Sequence, residues 1–271
     1  MDESVPSSFG CSQSNLAIYH QCRRRFFLRY VRRLDWPAPL TAAAEELERA
    51  IGRGQLFHYL VQQDILGMDV SAVVQHHGDV LLEAWWRNYT LHPPAGIPAG
   101  RTFSEIQLSV PLGPYRLRAK FDRVVMGRDG RVWIVDWKTG QQRPQQKACE
   151  ESWQTLVYRY VLVEAGESLV EGRAIAPDQV SLVYWYASFP DLLRPIGYSR
   201  SEHEAAGKRL EAVAAEWAAL CQEEDFPRTE DVELCRRCEY RSYCERGRTP
   251  ADEWEIDEED LDWDLIPEAE L

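Results

Sequence analysis

The chain has 271 residues, of which 45% are apolar, enough for a hydrophobic core in one large domain or two modest ones. No uninterrupted apolar run approaches the roughly 20 residues that a membrane-spanning helix requires. The first ten residues, MDESVPSSFG, contain neither a basic nor an apolar stretch. We therefore expect no secretory signal and a cytoplasmic location, where cysteine clusters bind metals more often than they form disulfides.

The net charge of −13 is unevenly distributed. Residues 250–271 contain eleven acidic and no basic residues, which leaves 31 basic and 33 acidic residues in the rest of the chain. We expect this tail to be disordered and solubilising; the alternative is a mimic of DNA that folds back on a basic surface. A dense basic patch near the N-terminus consists of Arg23, Arg24, Arg25, Arg29, Arg32 and Arg33. Net charge therefore does not exclude a polyanionic ligand.

The first hundred residues are predicted to be helical. Apolar spacing predicts helices over residues 14–31, 41–66 and 71–91, the second interrupted near Gly52 and Gly54. The connector PPAGIPAG follows. Beyond it, the pattern predicts strands over 103–110, 115–126 and 131–135, a helix over 147–165, a strand over 179–186 and a helix over 201–220. This order, βββαβα after a helical portion, predicts an α/β fold.

Three charged residues near the ends of two predicted strands suggest a metal-dependent hydrolase. In VDWKTG, Asp136 and Lys138 alternate with Trp137, so they share one strand face roughly 7 Å apart. Asp122 lies in the preceding strand, and the short connection GRDGR makes the two strands antiparallel neighbours. Two adjacent carboxylates can bind Mg²⁺ or Mn²⁺, and a lysine can stabilise charge on a phosphate. A surface ion pair is the simpler alternative.

Further polar residues could join this group. Gln154 and Tyr158 are four positions apart in SWQTLVYRY and so lie on one helix face. His58, in GRGQLFHYL, could be a metal ligand or a phosphate contact, although a lone histidine is more often structural. Glu105 could be a site carboxylate, but a charge on an edge strand is the favoured interpretation.

Three of the seven cysteines form the motif C-x2-C-x5-C in LCRRCEYRSYC. Three thiolates leave a tetrahedral site one ligand short, and Cys22 is the candidate fourth ligand, with Cys11 as its competitor. Such a set would staple the N-terminal helix to the end of the folded chain. Ligand identity alone does not separate zinc from an iron–sulfur cluster.

Together, these motifs resemble the RecB-type PD-(D/E)XK nucleases, among them the CRISPR-associated nuclease group that carries an iron–sulfur cluster. The segment SQSNLAIYHQC matches that group's S-x-L-x-x-Y-x-x-C pattern. The resemblance implies a restriction-endonuclease-like mixed central sheet flanked by helices, with a helical portion at the N-terminus and a cysteine staple at the C-terminus. It implies a single nuclease domain over residues 12–248: a helical portion at 12–98, a catalytic core at 100–225 and a cysteine segment at 226–248.

The resemblance also implies the role of each residue. Asp122, Asp136 and Lys138 would be catalytic, and the two aspartates would bind the metal with His58 and the main-chain carbonyl of Val135. Gln154 and Tyr158 would position the substrate. A [4Fe–4S] cluster, with zinc as the alternative, would be held by Cys22, Cys235, Cys238 and Cys244.

The implied activity is that of a Mg²⁺- or Mn²⁺-dependent deoxyribonuclease, a single-strand exonuclease in DNA repair, recombination or CRISPR adaptation. The sequence has no G-x-x-x-x-G-K-[ST] motif, so a helicase motor would belong to a partner protein. The alternatives are a catalytically silent DNA-binding or scaffolding subunit and an endonuclease that acts on RNA or in repair. Arginines and aromatic residues near the cysteines could bind single-stranded DNA, with the guanidinium groups on its backbone and the rings stacked on its bases. The alternative is a solvated basic face. These residues are Arg23, Arg24, Arg25, Arg236, Arg237, Arg241, Phe26, Tyr240 and Tyr243.

Overall fold

The computed structural model describes residues 4–34, 42–140, 142, 145–170, 172–192, 194–236 and 238–246, with backbone alone for 42–47. The acidic tail therefore lies outside the described residues. The chain divides into two compact units. Among the described residues, the sheet unit comprises those of Ile51–Val110 and Arg118–Gly207, and the cysteine unit comprises those of 4–50, Pro111–Leu117 and 208–246. The single nuclease domain over 12–248 stays a prediction.

The helices of the first hundred residues follow the predicted positions but are divided differently. They are α1 (Gln13–Gln21), α2 (Arg23–Phe26) with a π-helical continuation (Phe27–Val31), α3 (Ala42–Ile65), α4 (Ser71–His77) and α5 (Val80–Leu91). The predicted helix over 14–31 breaks at Cys22, whose backbone is extended (φ −158°, ψ 111°). The predicted helix over 71–91 breaks at Gly78 (φ 71°), and Asp79 then caps α5 by accepting hydrogen bonds from two main-chain N–H groups.

The second half contains most of the strands. They are β1 (Gly10–Cys11), β2 (Gly100–Leu112), β3 (Tyr115–Gly127), β4 (Val132–Lys138), β5 (Val180–Tyr186) and β6 (Ile196–Gly197). The helices are α6 (Gln146–Glu151), α7 (Trp153–Ala165), α8 (Arg200–Ala219) and α9 (Val232–Arg236). The predicted helix over 147–165 is divided at Ser152, which caps α7 by accepting a hydrogen bond from the Thr155 N–H.

The sheet is mixed, which confirms the predicted fold class. Its order is β1-β3-β4-β5-β6, and β2 pairs with β3. The β3–β4 and β5–β6 pairs are antiparallel, whereas β1–β3 and β4–β5 are parallel. The predicted antiparallel pairing of the strands that contain Asp122 and Asp136 is thus confirmed.

Helices cover both faces of the central strands in the sheet unit. Aromatic residues dominate the core under α3–α5, where Trp133, Trp137 and Trp185 of the sheet are buried with Phe57 and Trp85 of the helices. On the other face, α7 contacts the alternating positions of β4 and β5. Within the described part of the chain, no helix is long and apolar enough to cross a membrane.

Candidate active site

The β3–β4 pair brings Asp122 and Asp136 together. Its register ends with Arg123 opposite Val135, and the two aspartates are the next residue on each strand. Beyond that pair, the Asp122 side chain accepts a hydrogen bond from the Trp137 main-chain N–H (2.8 Å). This bond fixes the Asp122 carboxylate beside β4.

Asp136 and Lys138 lie on one face of β4, as strand alternation predicts, and they form an ion pair that is buried rather than at the surface. Lys138 Nζ lies 3.0 Å from Asp136 Oδ2, and both side chains are less than a tenth exposed. The other oxygen, Oδ1, accepts a hydrogen bond from Gln154 Nε2 of α7 (2.9 Å). Burial raises the pKa of Asp136 to about 7, Lys138 opposes that shift and Asp122 adds to it.

A second group of ligand atoms surrounds Asp122. One atom each from His58, Glu105 and Asp122 lie within 4.8 Å of one another, and His58 Nδ1 is 3.4 Å from Asp122 Oδ1. Among the described histidine, cysteine, aspartate and glutamate residues, these three form the group in which three or more ligand atoms lie within that distance of one another. The structure thus brings His58 to Asp122, as the sequence predicts.

Charge shapes the protonation of this group. Burial by itself lowers the pKa of His58, but the negative charges of Asp122, Glu105 and Asp136 outweigh burial and raise that pKa to about 9. Burial raises the pKa of Asp122. Three groups outweigh burial and lower this pKa overall, namely His58, the Trp137 N–H and Lys138. Burial and the Asp122 charge raise the pKa of Glu105. Carboxylates crowded in this way repel one another unless positive charge is present.

Glu105 lies on β2, which, among the described strands, pairs with β3 alone, and it is also the possible site carboxylate that the sequence analysis ranked below an edge-strand charge. Its backbone lies in the left-handed region (φ 51°) inside β2, which is uncommon for a residue other than glycine. Its carboxylate is largely buried, and one oxygen lies 3.1 Å from Lys120 Nζ. A single acidic residue in a polar strand gives no local signal of this backbone conformation. The closeness of Glu105 to His58 and Asp122 is visible only in the three-dimensional structure.

A glycine in α3 allows His58 to reach the site. A Cβ atom at Gly54 would lie 3.0 Å from Thr139 Oγ1, just beyond the end of β4. Gly54 and His58 are four residues apart and so lie on the same helix face. The absence of a side chain at Gly54 lets this face approach β4 closely. The predicted interruption near Gly52 and Gly54 is wrong, because α3 is continuous there.

The donor set fits a hard divalent cation. Its carboxylate oxygens are the ligands that Mg²⁺ and Mn²⁺ prefer, and its one imidazole nitrogen, which binds a metal in the neutral form, is more typical of transition metals. In addition, among the described residues, the buried Asp136 Oδ2 has Lys138 as its ion-pair partner and receives no further hydrogen bond. An acceptor oxygen in this state is suited to a cation.

The two remaining predicted residues of the site also lie within the sheet unit. The Tyr158 side chain is buried, and its ring centroid is 5.0 Å from that of Phe121. Val135 is in the sheet ladder, opposite Arg123 on one side and Val183 on the other. The roles of Tyr158 in substrate positioning and of the Val135 carbonyl in metal binding stay predictions.

Comparison with known families decides the classification. Residues 11–245 match the family model described as the PD-(D/E)XK nuclease superfamily. The chain belongs to the PD-(D/E)XK nuclease superfamily. No curated protein sequence matches this nuclease.

Solved structures provide a second comparison. The nuclease is similar to the crystal structure of a "Putative exonuclease" from Eubacterium rectale, with 11% identity, a TM-score of 0.50, and coverage of 96% of this chain and 93% of the other. It also matches the crystal structure of SSO0001 with 13% identity, a TM-score of 0.39, and coverage of 89% and 87%. At this identity, the likeness to the Eubacterium rectale protein concerns the fold alone.

The four predicted cluster cysteines of the nuclease lie in the cysteine unit. Cys22 is at the break between α1 and α2, Cys235 is in α9, and Cys238 and Cys244 follow α9. Burial and Glu239 raise the pKa of Cys238 to about 12, with a smaller contribution from Cys22. Burial raises that of Cys244, and Cys22 and Cys235 add to the shift. Cys22 is therefore close enough to Cys238 and Cys244 to affect their pKa values, although, among the described residues, no three of the four sulfurs come within 4.8 Å of one another.

Most of the arginines and aromatic residues predicted to bind DNA near the cysteines contact other residues of the cysteine unit instead. Arg23 and Arg24 form ion pairs with Glu216 and Glu223, and Arg25 pairs with Glu239 at 2.9 Å. Phe26 is fully buried, and the Tyr240 hydroxyl donates to the Leu34 carbonyl (3.0 Å). Arg236 pairs with Glu233, Arg241 donates to the Arg246 carbonyl, Tyr243 is exposed, and Arg237 lies outside the described residues. The predicted stacking surface is therefore wrong for Phe26 and Tyr240, whose rings the fold buries.

Proposed function

We propose that this nuclease is a Mg²⁺- or Mn²⁺-dependent deoxyribonuclease whose catalytic residues are Asp122, Asp136 and Lys138. The observation that carries the proposal is the convergence of these three residues at neighbouring strands, beside His58 and Glu105. When bound there, a divalent cation supplies charge that lowers the pKa of an attacking water and stabilises a phosphoryl transition state.

The chain's own residues would divide the work. Asp122 and Asp136 would hold the cation with His58, and Glu105 adds a further oxygen within reach of the same ligand atoms. Gln154 orients the Asp136 carboxylate by donating to Oδ1. Lys138 would offset charge that develops on the phosphate.

The mode of attack that we propose is exonucleolytic, on single-stranded ends, in DNA repair, recombination or CRISPR adaptation. This part rests on the sequence resemblance to RecB-type nucleases. A helicase or a CRISPR or repair protein would deliver the substrate, since the sequence carries no P-loop motif.

Cleavage of end-labelled substrates tests the activity and its mode together. Single-stranded DNA, duplex DNA and RNA are each incubated with the anaerobically purified protein and Mn²⁺ or EDTA. We expect Mn²⁺-dependent cleavage of single-stranded DNA, a product ladder from one end, and loss of cleavage in Asp136→Ala. Asp129→Ala, an exposed acid in the β3–β4 turn, serves as the matched control and keeps full activity.

Two results would contradict the proposal. DNA binding without cleavage by the wild-type protein would favour the silent DNA-binding subunit. Preferential cleavage of RNA would redirect the substrate assignment.

We also propose that Cys22, Cys235, Cys238 and Cys244 hold a [4Fe–4S] cluster. The four cysteines form no disulfides, and Cys22 lies close enough to Cys238 and Cys244 to contribute to the rise of their pKa values, which suits this ligand set.

Metal analysis distinguishes the two cofactors. We expect about four iron atoms per chain and a visible absorption band after anaerobic purification. About one zinc per chain and no iron would replace the cluster with a structural zinc site.

A further inference from the structure

The aromatic ring of Tyr184 lies beside the ammonium group of Lys138. In the parallel β4–β5 pair, Asp136 is opposite Tyr184, so the side chains of Asp136, Lys138 and Tyr184 are on the same face. Lys138 Nζ is 5.5 Å from the centroid of the Tyr184 ring. This distance is within the range of a cation–π interaction.

Burial of both residues strengthens the contact between the Lys138 ammonium and the Tyr184 ring. Only 7% of Lys138 and 5% of Tyr184 is exposed. A buried ammonium loses hydration, and the Asp136 carboxylate restores favourable charge from one direction. The ring contributes from a second direction, and an attraction of this kind is stronger in a site shielded from water than at the surface.

Helix α7 holds the ring in place. Thr155 Oγ1 donates to the Cys149 carbonyl (2.5 Å), which uses its single proton. The Tyr184 hydroxyl, 2.8 Å from Thr155 Oγ1, is therefore the donor in that contact. The neighbouring residue Gln154 donates to Asp136. The first turn of α7 thus fixes both the carboxylate and the ring that border Lys138.

We propose that Tyr184 is a positioning residue, whose ring orients the Lys138 ammonium for catalysis. The inference rests on the proposed nuclease function and deepens it. Because the ring and not the hydroxyl faces the ammonium, phenylalanine should replace tyrosine and an aliphatic side chain should not.

Steady-state cleavage of single-stranded DNA by Tyr184→Phe and Tyr184→Leu tests this role. We expect kcat to stay within about twofold in the Phe variant and to fall about tenfold in the Leu variant, with KM and the Kd for DNA unchanged. Tyr89→Leu is the matched control, because Tyr89 is a buried tyrosine of the same unit that packs on Trp137 at the opposite face. It should lower the thermal midpoint and leave kcat intact.

Each other outcome has a definite meaning. Full kcat in Tyr184→Leu, an equal loss in Tyr184→Phe, or an equal loss in Tyr89→Leu would overturn the positioning role while the nuclease function stands. Absence of cleavage by the wild-type protein would overturn both.

Discussion

The two aspartates of the site have opposite electrostatic environments. Asp122 is stabilised as a carboxylate by His58 and by the Trp137 N–H, so its pKa is lowered. Asp136 is more deeply buried, and its pKa is raised to about 7, against the effect of Lys138. Bringing a second anion next to Asp122 costs free energy that a bound cation would offset. This charge balance is the reason that we propose a cation at these residues.

Gln154 provides a test at the scale of one hydrogen bond. Gln154→Leu removes the donor to Asp136 Oδ1 and keeps an apolar side chain of similar size. We expect the Mn²⁺ concentration for half-maximal cleavage to rise about tenfold, because partners that orient metal ligands contribute this much to affinity. Gln107→Leu, at an exposed position of β2, should leave the Mn²⁺ dependence unchanged. An unchanged requirement in Gln154→Leu would show that the bond does not support the metal site.

The sequence predicted proximity within a motif better than proximity that depends on the fold. That Asp122, Asp136 and Lys138 lie close together could be predicted because strand alternation and a short hairpin determine it. Glu105 was named as a possible site carboxylate but ranked below an edge-strand charge, since its left-handed backbone leaves no mark in the residue pattern. The partners of the N-terminal arginines were also hidden, because Glu216 is almost two hundred residues away from Arg23 in the chain.

At the scale of elements, helix breaks were less predictable than helix positions. Gly78 and Ser152 are each suited to a helix cap, and a helix ends or begins at each of them. The helical spacing of apolar residues continues across both positions, so it predicted one long helix in each case. Conversely, α3 continues through Gly52 and Gly54, where glycine suggested an interruption. Packing of an apolar face can stabilise a helix that has poor intrinsic propensity.

The two glycines of α3 make a matched pair for an experiment. Alanine in a helix is about 1 kcal/mol more favourable than glycine, and a Cβ at Gly52 meets no atom of the described residues within 4 Å. We expect Gly52→Ala to raise the thermal midpoint by about 3 °C and to keep full activity. A Cβ at Gly54 would lie 3.0 Å from Thr139 Oγ1, so α3 or the Thr139 side chain must shift by about a few tenths of an ångström; we expect Gly54→Ala to gain no stability and to cleave DNA more slowly. Equal melting curves and equal rates for the two variants would refute a close approach at Gly54.

At the scale of the whole molecule, the cysteine unit joins distant parts of the sequence. Its ion pairs connect Arg25 to Glu239 and Arg24 to Glu223, and Tyr240 bonds to Leu34. The predicted staple between the N-terminal helices and the end of the folded chain agrees with these contacts. The cluster itself stays a prediction.

The stability of the unit depends on the cluster if our proposal is correct. Cys22→Ser removes one ligand, so we expect loss of the bound iron and a fall of the thermal midpoint by roughly 10 °C. Cys221→Ser changes an exposed cysteine outside the set and should alter neither quantity. Iron content and melting curves, both measured under anaerobic conditions, check this. Retained iron in Cys22→Ser would assign the fourth ligand to another residue.

Direct binding of Mn²⁺ tests the central claim, that the carboxylates around Asp122 form a divalent metal site. Titration of the protein with Mn²⁺, followed by electron paramagnetic resonance, measures binding without dependence on cleavage. We predict a site in the wild-type protein whose affinity falls at least about tenfold in Asp122→Asn and is unchanged in Asp129→Asn, an exposed acid of the adjacent turn. A wild-type protein that binds no Mn²⁺, or an Asp122→Asn variant that binds it as well as the wild type, would contradict the account.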